Sequence, residues 1–334
     1  MPNSSLMSAP APGSDVRFSG GPGPRFLLTV DTEEEFDWSR PLERGGHSTD
    51  TVARLRKFQE FCEGQGVVPI YLIDYPIAIS ELAADLLRAP LAAGRAEIGV
   101  QLHPWVNPPF EEQVTQFNSF AGNLPYELER AKLMSLRDTI ERNFGQTPRI
   151  YRAGRYGLGP NTAQILREAG IAIDTSVRSR FDYSSHGGPN YATRPLTPWW
   201  VDEGRTLMEL PLTTLFTGHL RRRAQWLYPR LWRLPQMRSV LARLGMMDRI
   251  PLTPEGVTIA EALRGVRQAV AEQLPVIVLS FHSPSLSPGH TPYVRSEDDL
   301  DKLYDWWRAV FAELRALGAC PSSVADIMGS VELA

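Results

Sequence analysis

Short apolar runs that stop abruptly at a polar residue recur along this 334-residue chain, and they constrain its fold more than any other feature. Residues 26–30 stop at Asp31, 66–73 at Asp74 and 97–102 at His103. Further on, 149–151 stop at Arg152, 171–173 at Asp174 and 275–281 at His282, and a shorter run, 207–210, ends before Pro211. Apolar runs of this length suit strands buried on both faces. Between them lie segments of helical period at 79–91, 125–144, 162–169, 257–273 and 300–317, and residues 48–50 are fit to cap another helix. Strands alternating with helices predict an α/β chain with a parallel sheet and right-handed crossovers. A polar residue at each strand's C-terminal end is the pattern of a barrel's catalytic face. No glycine-rich phosphate loop of either common type is present, which argues against a nucleotide fold. The reading is one barrel-like domain of about seven strands over 25–334. Residues 1–24, rich in Pro, Gly, Ser and Ala, are expected to form a disordered tail.

Composition narrows the partners. A hydrophobic content of 43% supports a large core, and a net charge of −3 gives no overall attraction to nucleic acid. Cys62 and Cys320 lie far apart, so neither a disulfide framework nor a cysteine metal site is expected. No secretion-type apolar stretch follows Met1 and no window is apolar enough to span a bilayer, so the expected compartment is the cytoplasm.

Three constellations carry chemistry. In Thr29-Val30-Asp31-Thr32-Glu33-Glu34-Glu35-Phe36-Asp37-Trp38, Asp31 and Glu33 sit two apart, so in extended chain their carboxylates face the same way. That pair suits a divalent cation or a general base beside one, and equally an acidic cap on a strand end. In His103-Pro104-Trp105-Val106-Asn107, a helical turn beginning after His103 would put positions 103 and 107 on one face. His103 alone also fits a hydrogen-bonded structural role. In Tyr151-Arg152-Ala153-Gly154-Arg155-Tyr156-Gly157, two arginines beside an aromatic can orient a carboxylate or bind an anionic substrate, or simply form a solvated turn. His282 closes the set as a strand-end residue suited to general acid work.

Taken in order, these motifs resemble the polysaccharide deacetylases with a NodB homology domain, a carbohydrate esterase family, over about residues 26–285. Thr-Val-Asp-Thr-Glu-Glu-Glu-Phe, Gln-Leu-His-Pro-Trp-Val-Asn-Pro-Pro and Tyr-Arg-Ala-Gly-Arg-Tyr-Gly look most like the WalW-type branch. The resemblance implies a distorted (β/α)7 barrel and hydrolytic N-deacetylation of an amino sugar, in a polysaccharide or a lipid-linked glycan intermediate. It implies Asp31 as base, Arg152 holding it, His282 as acid, and Glu33, His103 and Asn107 as ligands of a divalent metal, zinc before others. It matches Tyr156 to an aromatic and Leu279 to a pocket position near the substrate, and Trp105, Arg155 and Asp174 are further candidates to line the substrate site. Asn107 stands where that family has a second histidine. A neutral amide oxygen is a poorer zinc ligand than imidazole, so the set would hold zinc less tightly, take another cation or hold none. Two alternatives stay open: a metal-independent, allantoinase-like C–N amidohydrolase, and a glycan-binding member without chemistry. His47, His186 and His290 lie in loops that could reach the mouth, as could the aromatics Trp199, Trp200 and Tyr293, and residues 181–194 read as a loop over it.

One segment departs from the rest. Residues 219–250 interleave Arg221, Arg222, Arg223, Arg230, Arg233, Arg238, Arg243 and Arg249 with Trp226, Tyr228, Trp232 and Met246, and only Asp248 is acidic. This reads as a helical insert, either packed with its arginines wet or lying on an anionic membrane or a lipid-linked diphosphate.

Overall fold

The computed structural model describes residues 5–20, 23–36, 40–231 and 234–332. Trp38 of the acidic stretch and Trp232 and Arg233 of the basic segment lie outside the described residues. The strands are β1 (Arg25–Thr32), β2 (Pro69–Ile73), β3 (Glu97–Leu102), β4 (Ile150–Ala153), β5 (Ile173–Asp174), β6 (Trp199–Trp200), β7 (Met208–Glu209), β8 (Thr214–Thr217), β9 (Asp248–Pro251), β10 (Val276–His282) and β11 (Cys320–Pro321). The helices are α1 (Leu55–Gly64), α2 (Tyr75–Ala78), α3 (Glu81–Ala92), α4 (Tyr126–Phe144), α5 (Thr162–Glu168), α6 (Arg221–Arg230), α7 (Pro235–Arg243), α8 (Ile259–Ala271), α9 (Glu297–Ala316) and α10 (Val324–Gly329).

A curled mixed sheet runs in the order β10-β1-β2-β3-β4-β5-β7-β6, with β11 beside the start of β1. Its first seven strands are parallel, and β6 closes the row antiparallel to β7. The expected barrel-like α/β fold with about seven parallel strands forms, as a curled half-barrel sheet. Register brings Asp31 of β1 level with His282 of β10, so residues 251 apart in sequence meet at one strand end.

The period of two along each strand explains where the site lies. Phe26, Leu28 and Val30 face one side with Phe281 of β10, where Phe58, Trp307 and Phe311 of the outer helical layer pack. The other parity turns inward. Leu27, Ile70, Leu72, Ile150, Val276 and Val278 form an apolar plug at the N-terminal ends of the strands. Continue along the same parity and the plug gives way to Asp31, Gln101, His103, Arg152 and His282. Gly99 sits in the crowded zone between: a Cβ there would lie 2.5 Å from Leu72 and 2.6 Å from Ile150.

Two local expectations are corrected and a third is refined. Residues 5–20 are not a loose tail: Leu6 and Val16 are buried, Val16 N–H donates to Pro198 C=O, and Trp200 N–H donates to Ser14 C=O. The turn after His103 is a single 3-10 turn (Pro104–Val106) with Asn107 extended, so positions 103 and 107 do not share an α-helical face. The segment 219–250 is helical as expected, but it grows from an antiparallel ribbon of β8 and β9. It has its own small core of Phe216, Ala224 and Met247.

Candidate active site

At the C-terminal ends of the parallel strands a cavity of about 390 Å³ opens, lined among others by Asp31, Glu33, His103, Arg152, Arg155, Tyr156 and His282. Seven of the eleven residues singled out from sequence thus share one chamber. Trp105, Asn107, Asp174 and Leu279 do not line it. Leu279 is buried in the core, and its carbonyl accepts from Thr29 Oγ1. Asp174 is buried beside Glu209 and accepts from Ser176 Oγ at 2.6 Å. Trp105 stacks on the His103 ring with centroids 4.4 Å apart.

Asp31 ends β1 with both oxygens engaged. Arg152 Nη1 donates to Oδ1 in a buried ion pair, while Oδ2 faces His282 Nε2 at 3.6 Å. The guanidinium is locked by two more bonds, Nε to Thr175 C=O at 3.1 Å and Nη2 to Thr29 Oγ1 at 2.9 Å. His282 uses its other nitrogen on Glu255 Oε2 at 2.7 Å. Glu255 also accepts from the His282 backbone N–H and from Ser285 Oγ. Burial works against a charged His282, but the carboxylates of Glu255, Glu33 and Asp31 outweigh it and lift the imidazole to about 10. Burial likewise raises Glu255, and the His282 charge more than reverses that, leaving its carboxyl below the ordinary range.

The other side of the chamber is built differently. Glu33 Oε2 accepts from Gln101 Nε2 at 3.2 Å and lies 3.5 Å from His103 Nε2. His103 Nδ1 faces Glu34 Oε2 at 3.0 Å, and Glu34 Oε1 accepts from Trp105 Nε1 at 3.1 Å. Asp74 accepts from the backbone N–H of Glu34 and from that of Ile77 at the start of α2. Burial pushes Glu33 and Glu34 up to about 7, and burial with the Glu34 charge raises Asp74 well above the carboxylate range. Gly154 allows His103 to sit here: a Cβ on it would meet the imidazole at 2.4 Å. Lys132 Nζ fixes the loop below by donating to the carbonyls of Pro104, Asn107 and Pro109.

Two groupings bear on a metal ion. Glu34, Asp74 and His103 offer ligand atoms within 4.8 Å of one another. Those atoms already satisfy one another and nearby N–H groups, as a supporting shell does. Glu33 Oε2 and His103 Nε2 are the pair that face the cavity. Two ligands about 2.0–2.2 Å from a tetrahedral ion lie roughly 3.3–3.5 Å apart, so their 3.5 Å separation fits a shared cation. Asn107 gives both amide hydrogens to the carbonyls of Pro108 and Lys132, and its Oδ1 is buried without a partner. An orphaned buried oxygen costs about 1–3 kcal/mol unless something occupies it. The Glu33–His103 pair therefore fits a hard or borderline dication, and Asn107 lies outside the chamber lining.

The residues that sequence reasoning missed are Gln101, Glu34, Glu255 and Arg178. Gln101 carries a readable signal, since it precedes His103 by two in a strand. Glu255 carries none, being a lone acid in the Pro254-Glu255-Gly256 loop. Of the three loop histidines, His290 lines the chamber, His47 lines a neighbouring groove, and His186 lines neither.

No family model and no curated protein matches the chain. Solved structures do. A provisionally assigned polysaccharide deacetylase from Mycobacterium smegmatis superposes with a TM-score of 0.50 at 17% identity, over 97% of this chain and 94% of that one. A 4-alpha-glucanotransferase from Thermococcus litoralis superposes with a TM-score of 0.50 at 15% identity, over 93% of this chain. This chain spans only 41% of that protein. At such identities the likeness is one of fold, and the two neighbours carry different names on it, so the chemistry must be argued from the site.

Proposed function

We propose that the chain is a hydrolase of the WalW-type branch of the polysaccharide deacetylases, removing an N-acyl group from an amino sugar in a glycan or a lipid-linked intermediate. The observation that carries this is the Arg152–Asp31–His282–Glu255 chain, which holds a carboxylate and an imidazolium 3.6 Å apart at the edge of one cavity. Asp31 takes the proton of the attacking water through Oδ2, since Arg152 occupies Oδ1. Arg152 neutralises and orients that carboxylate. His282, charged at neutral pH and held at Nδ1 by Glu255, hands its Nε2 proton to the departing amine. Glu33 and His103 would hold a divalent cation, zinc before others. When bound, the cation supplies Lewis acidity to the acyl carbonyl and lowers the pKa of its water toward about 7. Tyr156 and Tyr183 offer ring faces for the sugar.

A second reading, hydrolysis without a metal, draws on Glu33 and Glu34. With carboxyls pushed up to about 7, they can carry protons instead of a cation near neutral pH. Acetate release from N-acetylated chitooligosaccharides, followed by proton NMR with an assay for free amine, tests the common claim. Asp31→Asn should lower turnover by about 10²–10⁴-fold with the circular dichroism unchanged. Undiminished release by that variant would remove the assignment.

Membrane contact through 219–250 belongs to the same proposal. Trp226, Leu234, Met237, Val240 and Leu244 are exposed on α6, α7 and their flanks, among arginines. Arg221, Arg222 and Arg223 open α6 with no acid in its first turn, an arrangement that opposes the helix dipole and favours an external anion. An anionic bilayer surface matches both features. Among the described residues no helix is long and apolar enough to cross a membrane.

A further inference from the structure

Two guanidiniums in the chamber have no close carboxylate partner among the described residues. Arg155 and Arg178 both line it, and among the described residues neither forms an ion pair. The acids nearby are already engaged: Asp31 by Arg152, and Glu255 by His282 and Ser285. What Arg178 has instead is aromatic. Its guanidinium lies 4.0 Å from the Phe181 ring centroid and 5.1 Å from that of Tyr156, and it donates to Tyr183 Oη at 3.2 Å. Arg155 lies 4.6 Å from the Phe120 ring centroid and donates to Ser119 Oγ. Burial holds the Arg155 guanidinium below its ordinary range.

The backbone is bent to put these groups there. Arg155 and Tyr156 are consecutive non-glycine residues with φ of 55° and 61°. Such positive-φ strain persists where the surrounding structure holds it. Tyr156 follows Arg155 in the chain and lies under Arg178, and Tyr183 stacks on it with centroids 5.6 Å apart. Stacked rings flanked by unpaired guanidiniums form a surface for a sugar that bears negative charge.

We propose that Arg155 and Arg178 form a subsite for an oxyanion carried by the substrate, a carboxylate or phosphate on the sugar seated against Tyr156 and Tyr183. This deepens the reading of the cavity as a sugar site and rests on it. Neutral N-acetylglucosamine would then fill the acyl end of the chamber and leave both cations uncompensated.

Isothermal titration calorimetry tests this without turnover. The probes are N-acetylglucosamine, N-acetylglucosamine 1-phosphate and N-acetylglucosaminuronic acid, each titrated into wild-type chain and into Arg155→Gln, Arg178→Gln and Arg178→Lys. At least one charged sugar should bind about tenfold more tightly than the neutral one, and added salt should narrow the gap. Whichever charged probe shows the preference identifies phosphate or carboxylate as its source. Both glutamine variants should lose the preference, and Arg178→Lys should keep part of it. Should Arg178→Gln fail to fold, Arg155→Gln decides. Equal binding of charged and neutral sugars by wild type overturns the subsite, as does a preference that survives in a folded Arg155→Gln. A charge preference without acetate release from any acetylated sugar would instead sink the deacetylase reading and leave the subsite standing.

Discussion

The two sides of the chamber handle charge in opposite ways. On one side the acid–base groups are matched in charge: Asp31 with Arg152, His282 with Glu255. On the other, Glu33, Glu34 and Asp74 gather around one histidine, His103, and burial raises all three carboxyls. The first side is complete as folded and poised to move protons. The second is short of positive charge and is settled only by protons or a cation. The strand ends are thus divided into a side whose acid–base groups are matched in charge and a side that concentrates negative potential.

The largest effect should come from unbalancing the first side. Arg152→Met leaves Asp31 buried and unpaired, which should lower stability by about 3–5 kcal/mol in urea denaturation. Adding Asp31→Asn to that variant should restore part of the loss, and strict additivity of the two changes would mean they are not coupled. Glu255→Gln should act next. His282 then loses its strongest positive influence, and the alkaline limb of the pH–rate profile should move down from about 10. The sign for stability follows from the same shift. A histidine raised above its ordinary 6.5 stabilises fully below about 6.5 and loses that contribution as pH rises through about 10. Melting temperature between those limits should fall more steeply with pH in wild type than in His282→Asn, and parallel curves would contradict the assigned charge. The smallest effect should be at the membrane face. Replacing Trp226 and Leu244 by serine should reduce co-sedimentation with phosphatidylserine vesicles a few-fold without altering acetate release.

Much of this was legible in the sequence because the sheet is parallel and buried. The strand-end residues Asp31, His103, Arg152 and His282 stand out because an apolar run has nowhere else to place a polar side chain. The shorter strands were less visible. β6 and β11 have two residues each and no period to read. Glu255 and Arg178 come from loops whose place is set by tertiary packing, so neither spacing nor composition marks them. Composition also misled at the N-terminus, where a few apolar side chains such as Leu6 and Val16 are enough to dock a Pro- and Gly-rich segment. The relation of Asn107 to His103 failed for another reason. Spacing of four implies a shared helical face, but Pro104 opens a 3-10 turn, and Asn107 is turned instead onto the carbonyls of Pro108 and Lys132.

The contrast between the two sides is tested most directly by counting divalent metal bound per chain, using plasma mass spectrometry after dialysis against zinc and then buffer. The account predicts stoichiometric metal in wild type, retained in Asp31→Asn and His282→Asn, and lost in Glu33→Gln and His103→Ala. A wild-type chain that releases acetate while holding no metal after exhaustive chelation would contradict it.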